Sequence, residues 1–490
     1  MKLHLPQSLR GALLACFASV AGLTTTLATG AFAGGVFYVS LSQVAQAADV
    51  AVTTNTTWSN EAAEEHGNAD DTVTVDGGDT AITLQVGQGN TNALTAGQSI
   101  DFGTVTVNAG DTLKLWTWTG TNKELGSANK VAIASAITLN QAQLRIEDGS
   151  YYFAEAITIT GTSSIRTQYA KGISLAHIVG DENAVLELVR GIGTNRQQDT
   201  SRAVFELTSA NEGFSGTVKL VDDNGTPNVG AKDGLQLVLS DTNALVNAVL
   251  DFGETEDVTL ALNASKVMLK AIKGHGFVEY YNSTSTVGEI ELTAAAGTFS
   301  GTSAANVNWT ISGGNQVLSN ASILGTYTVG AGASSTFEGA ITLGSLVNNS
   351  TTGIDVSAMT SLTLNNQQAY QGATITGLGT LTGLSGNTFT YGNGWLATYD
   401  SASGSATLSD SAIWWRDTAD DDESHWSTAD NWVGSAVPAG ADVRLGADAN
   451  VHKNIVVDTD INVGKMRVDG SYTLHVAEGA SYTLTTTGIT

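Results

Sequence analysis

The sequence predicts an all-β protein, a right-handed parallel β-helix (β-solenoid), on three observations. First, short runs alternate between apolar and polar residues: Thr217-Val218-Lys219-Leu220, Leu235-Gln236-Leu237-Val238-Leu239 and Val258-Thr259-Leu260-Ala261-Leu262. A period of two sends one face into a core and the other to solvent, the pattern of a strand. Second, Gly, Asn and Asp lie between the runs and turn the chain by tolerating positive φ or bonding their own backbone. Third, Ala81-Ile82-Thr83-Leu84, Ala136-Ile137-Thr138-Leu139, Ala156-Ile157-Thr158-Ile159 and Ala340-Ile341-Thr342-Leu343 are near-copies, the second and third 20 residues apart. That period suits one unit of a solenoid, in which aligned rungs set Ile on Ile and Thr on Thr. A sandwich or up-and-down barrel also has many short strands. Few Asn-Gly or Asp-Gly two-residue turns join paired runs here, which weighs against both.

In chain order, residues 1–47 read as an export signal. Lys2 and Arg10 make the positive start, no charge follows until Asp49, and Ala45-Gln46-Ala47 is a small-x-small cleavage site, with Ala31-Phe32-Ala33 as a rival. An uncleaved anchor is the alternative, but Thr24-Thr25-Thr26 interrupts the apolar stretch. Leu13-Leu14-Ala15-Cys16 follows Arg10 too closely to be a lipoprotein box. Residues 48–130 are expected to hold an N-terminal cap, with a short helix at Glu61-Ala62-Ala63-Glu64-Glu65, and the first coils. Residues 131–405 form the repeat region. Residues 406–490 form a Trp-rich module with strands at Ile455 to Val463, Met466 to Val468 and Tyr472 to Val476 that begin further coils.

Two stretches carry a resemblance. Phe214-Ser215-Gly216-Thr217, the strand Gly234 to Leu239 and Asn243-Ala244-Leu245 resemble the autotransporter-associated β-strand repeat, with a weaker echo at Thr298-Phe299-Ser300-Gly301-Thr302. Trp426-Ser427, Asn431-Trp432, Pro438 and Asp442-Val443 resemble a module that opens β-helical segments of bacterial surface proteins. The resemblance implies a secreted or cell-surface passenger built as a parallel β-helix, in transit through the periplasm. It carries no shared active site.

Composition narrows the chemistry. Cys16 is the single cysteine and leaves with the leader, so no disulfide, thiolate zinc site or cysteine nucleophile is expected. The formal charge of −26 becomes more negative still without Lys2 and Arg10, which disfavours nucleic acid and anionic lipid as partners. No lysine or arginine occurs between Lys273 and Arg416, so that stretch cannot build an Arg clamp or a Lys base.

Several motifs carry residue types that could do chemistry. Gly274-His275-Gly276 downstream of Asp222-Asp223 is similar to an arrangement in β-helical pectin hydrolases, but the basic strand that those enzymes place after the histidine is missing, so His275 reads as a turn histidine. The run Asp420, Asp421, Asp422 and Glu423 offers oxygen ligands for calcium without the spacing of a calcium loop. His425, His452 and His475 are not at zinc-ligand spacing. Trp414, Trp415, Trp426 and Trp432 either stack on sugar rings or pack as a plug at a solenoid end. No catalytic residue and no cofactor is expected.

The leading expectation is a surface scaffold, structural or adhesive, whose partner is a surface glycan or a host or matrix component. A carbohydrate-active enzyme working with carboxylates alone and a tryptophan-centred glycan-binding module are the alternatives. The run Tyr482 to Thr490 is strand-like and uncapped, so continuation into a longer protein with a membrane barrel, or delivery by a separate translocator, is expected. Phe214, just before a strand of the repeat, is expected in the core.

Overall fold

The computed structural model describes residues 49–58, 71–81, 83–89, 99–101, 103–117, 125–127, 130–148, 150–167, 172–191, 203–223, 234–254, 258–392, 394–410, 412–416, 424–433, 436–446 and 451–490. The leader, the expected helix at Glu61 to Glu65 and the calcium candidates Asp420, Asp421, Asp422 and Glu423 lie outside these residues. The regular structure among the described residues is strand, apart from one 3-10 turn at Ala429–Asn431.

Strands pair with the next coil rather than with their sequence neighbours. Gln143–Asp148 lies between Thr112–Thr117 and Thr162–Thr167, parallel to both. The stack continues through Val185–Arg190, Thr217–Asp222, Leu245–Asp251, Lys266–Lys273, Gly288–Leu292 and Val307–Ile311. A second stack runs from Ser99–Ile100 and Val131–Ile133 to Ala203–Leu207, Leu235–Leu239, Val258–Leu262 and Phe277–Tyr280. A third joins Asp49–Val52, Thr72–Val75, Thr104–Val107 and Ala136–Asn140. The long strands Tyr151–Thr160 and Gly172–Val179 serve both the second and third stacks, because their register shifts between Phe153 and Ala156 and the chain bends there. Long-range parallel pairing on three sides is the pattern of a β-solenoid. Sandwiches and up-and-down barrels pair antiparallel.

The core follows from register. Leu84, Leu113, Leu144, Ile165, Leu188 and Leu220 stand one above another, each at most 1% exposed. Val73, Val105, Ile137, Ile157 and Ile178 form another column. Ile173, Phe205, Leu237, Leu260 and Val278 form a third. Fully burying one such side chain is worth roughly 1.5–3 kcal/mol. On the outer face Thr74, Thr106, Thr138 and Thr158 make their own column, so the Ile-on-Ile and Thr-on-Thr stacking expected of the second and third tetrapeptides is what the backbone adopts.

Phe214 is fully buried, as expected, and its backbone bridges Gly180 on the preceding coil. Phe299 bridges Gly274 in the same way. In both motifs the following serine N–H donates to that glycine's carbonyl, at 2.9 Å from Ser215 and 3.1 Å from Ser300. The glycine after it crosses the coil beneath so closely that a Cβ on Gly216 would sit 2.0 Å from the Ala184 carbonyl oxygen, and one on Gly301 2.0 Å from that of Gly276. Phe-Ser-Gly is therefore a corner piece: an aromatic wedge inside, a hydrogen bond down, and a residue small enough to turn over the previous coil.

The long sheet ends in an antiparallel meander, Thr388–Tyr391, Trp395–Asp400 and Ser405–Ser409. From Ile413 a shorter set of parallel sheets begins. Ile413–Trp414, Val443–Leu445, Lys465–Val468 and Gly488–Ile489 form one. Ser424–His425, Asn454–Val456 and Thr473–His475 form the second, and Ile461–Asn462 with Leu484–Thr485 the third. Among the described residues no helix is long and apolar enough to cross a membrane.

Candidate functional site: a polar corner groove beside a buried clasp

The tryptophans of the C-terminal module are packing groups. Trp415, Trp426 and Trp432 are at most 2% exposed, with ring centroids 4.5 Å apart for Trp426–Trp432 and 5.0 Å for Trp415–Trp432. Two of the polar ends are satisfied inside: Trp415 Nε1 donates to the His452 carbonyl at 3.0 Å and Trp432 Nε1 to that of Trp426 at 2.9 Å. Trp414 is also buried but belongs to the core of the long stack. Successive side chains of a strand point to opposite faces, so the Trp414-Trp415 pair places one indole in each core. Faces packed in this way leave a sugar ring little to lie on.

A buried arginine completes this joint. Arg444 is fully buried and bonds Asp410 through Nη1 and Asp469 through Nε, each at 2.5 Å. Its guanidinium lies 3.9 Å from the Trp395 ring centroid and 5.2 Å from that of Trp414, and Arg467 Nη1 adds a second cation to Asp410 at 3.0 Å. Asp410 follows the last strand of the meander and Asp469 lies in the module, so one planar cation is shared across the two bodies. Leaving out either carboxylate would strand a charge in a dry site.

The acidic and histidine motifs are dispersed. Asp222 pairs with Arg190 at 3.1 Å and Asp223 with Arg166 at 2.8 Å. Through the register of Lys219, Asp251 and Lys273, His275 sits two coils further along than Asp222. Its Nδ1 is 3.2 Å from Ser300 Oγ, within the corner piece described above, and Gly274 has φ of +91°, a left-handed turn. Gly-His-Gly thus serves the corner. His452 Nδ1 contacts Ser424 Oγ at 2.9 Å and His425 Nδ1 contacts Asp458 Oδ2 at 3.1 Å, while His475 is exposed. Burial alone would raise the Asp458 carboxyl, but bonds from Ser427 Oγ and N, with His425 beside it, outweigh that and hold it below its ordinary value. Among the described residues no group of three or more His, Cys, Asp or Glu is placed to hold a metal.

One concave surface did not announce itself in the sequence. A groove of about 350 Å³ is lined by Ala305, Asn308, Leu324, Gly325, Thr326, Gly344, Ser345, Asn365 and Asn366. It lies where the long strands Ser322–Val329 and Ala333–Asn348 bend, with a register shift between Ile323 and Thr326. The bend brings coils so close that a Cβ on Gly325 would meet the Val307 carbonyl oxygen at 2.1 Å and one on Gly344 that of Leu324 at 2.0 Å. These two glycines make the floor. Along it Asn308 Oδ1 accepts the Thr326 N–H at 2.9 Å and Ser345 Oγ donates to Thr326 Oγ1 at 2.9 Å. Thr326 and Ser345 share a rung position, so the polar groups form a column along the solenoid axis. The near-repeat Leu324-Gly325-Thr326 and Leu343-Gly344-Ser345, 19 residues apart, was the available signal.

Comparison with protein-family models, with curated proteins and with solved structures finds no match for this chain.

Proposed function

We propose that this chain is an exported, surface-exposed scaffold of the autotransporter-passenger type, whose coils wind right-handed and whose outer faces, rather than a catalytic centre, do its work. The right-handed sense follows from how parallel strands of one sheet are almost always connected. The observation that carries the scaffold reading is the joint at Arg444, Asp410, Trp395 and Trp414, which fastens a long parallel stack to a second short one. Two solenoid bodies locked end to end by a buried ion pair suit a stalk. A non-catalytic role agrees with Asp222 and Asp223 being held by arginines. The passenger assignment rests on the Phe-Ser-Gly corners and the leader-like start of the sequence.

Small-angle scattering of the purified chain, together with protease treatment of intact producing cells and N-terminal sequencing, tests this. An elongated particle, cleavage after Ala47 and loss of the protein to external protease are expected. A compact particle confined to the cytosol with its leader intact overturns it. Reducing-sugar release from pectins, mucins and glucans is expected to stay at background.

A further inference from the structure

We infer that the corner groove at Asn308, Thr326, Ser345, Asn365 and Asn366 binds an uncharged polysaccharide lying along the solenoid axis. The inference deepens the scaffold reading by naming what one of its faces holds, and it rests on that reading only for its biological setting.

The groove offers carboxamides and hydroxyls and not one ionisable side chain. It sits within the part of the sequence between Lys273 and Arg416 that contains no lysine or arginine, so an anionic chain finds no cation there. An apolar ligand is equally ill served, because Ala305 and Leu324 are the only apolar side chains in the lining and its polar groups would be left without partners. A protein partner normally anchors through large aromatic or arginine side chains, and the lining has neither. A chain of sugar rings brings hydroxyls that donate and accept at once, which is what an amide and a hydroxyl can each answer.

Spacing supports the direction of the chain. Thr326 and Ser345 lie on successive rungs of one column, and successive rungs are about 4.8 Å apart, close to the length of one pyranose unit. The column changes character at this place: Lys266 and Glu289 are register partners and form an ion pair at 3.4 Å. On the next rung Glu289 is followed by Asn308, and from there the column is neutral. Asn365 and Asn366, at the other end, are exposed, their backbone N–H groups tied to Leu343 and Gly344, and both line the groove. The walls are fixed by backbone, since Gly325 and Gly344 are locked by their close approach to the neighbouring coil. Little ordering is then needed on binding.

The test is affinity electrophoresis of the full-length chain through gels containing dextran, a soluble β-glucan, mannan or xylan, with polygalacturonate as the acidic comparator. At least one neutral polymer is expected to retard the protein, insensitively to salt, and polygalacturonate is not. The Asn365→Ala, Asn366→Ala double variant is expected to bind about tenfold more weakly, the loss of two hydrogen bonds. Ala305→Trp, at the exposed rim, is expected to block the groove. Both should keep the parent melting temperature, and Asn315→Ala on another face should bind as the parent does. Absence of retardation by every neutral polymer, equal retardation of parent and groove variants, or preference for polygalacturonate overturns the inference. Each of those results leaves the particle's shape and cellular location, and hence the scaffold reading, untouched.

Discussion

In the long stack one aliphatic contact repeats at coil after coil, as in the column from Leu84 through Leu144 and Leu188 to Leu220. The C-terminal module instead closes around Trp415, Trp426 and Trp432, with Arg444 at its border. Both are parallel and both wrap a dry interior, yet they divide the work differently. In the stack each rung contributes a similar amount to a sum of nearest-neighbour terms. The module has too few rungs for that, so large side chains supply the buried area that repetition supplies elsewhere. Damage should therefore stay local in one body and be general in the other.

The largest effect is expected at a corner of the stack. Phe214→Asp removes a fully buried ring and strands a carboxylate, a loss of at least about 4 kcal/mol. Calorimetry of the full chain should show the stack's transition lowered. An unchanged stack transition would refute the corner packing.

Next is the joint. Arg444→Ala leaves Asp410 and Asp469 facing each other across an empty site and should cost about 3–5 kcal/mol. The signature that separates a joint from an ordinary core residue is decoupling: the module's transition moves down and away from that of the stack. If the two still melt together, Arg444 does not carry the coupling.

Leu188→Ala probes the repetitive core and should cost about 2–4 kcal/mol. Amide exchange should accelerate in the neighbouring strands Thr162–Thr167 and Thr217–Asp222 and remain slow several coils away. Uniform acceleration through the whole stack would contradict the nearest-neighbour picture.

The smallest effect concerns acid. The Asp458 carboxyl is held below its ordinary 3.8 in the folded chain. Its contribution is therefore complete above that value and fades as the pH falls through the lower folded one. It is only partly buried, beside solvent, so the contribution is small. Ser427→Ala removes the hydroxyl that bonds Asp458 Oδ2, and should raise the Asp458 titration midpoint in an NMR titration. A midpoint that does not move would show that the hydroxyl is not the group holding it down.

Much of the stack was legible beforehand because its cause is local. Alternation and the Ala-Ile-Thr-Leu copies report a face and a period, and Ile137 over Ile157 follows from both. Phe214 was legible for the same reason. That Gly-His-Gly turns the chain was legible too, but not what the turn braces, because that depends on Phe299 and Ser300 a coil later. Arg444 was invisible too: its carboxylates lie 34 and 25 residues away in sequence, and only the closing of the coils brings them together. The tryptophans were conspicuous as a cluster, but whether an indole faces a core or a ligand is decided by what covers it. The groove was hidden in its glycines, whose role appears only where two coils nearly touch.

The register also fixes a metric. From Leu113 to Leu144 and from Leu188 to Leu220 the chain spends 31 and 32 residues on one turn, whereas from Leu144 to Ile165 and Ile165 to Leu188 it spends 21 and 23. Every turn nonetheless advances the axis by the same strand spacing, about 4.8 Å. Length along the rod is thus counted in turns, and the extra residues of a long turn go sideways. Such a chain can lengthen, shorten or redecorate a loop without moving anything displayed further along, and it can change its reach only in whole steps.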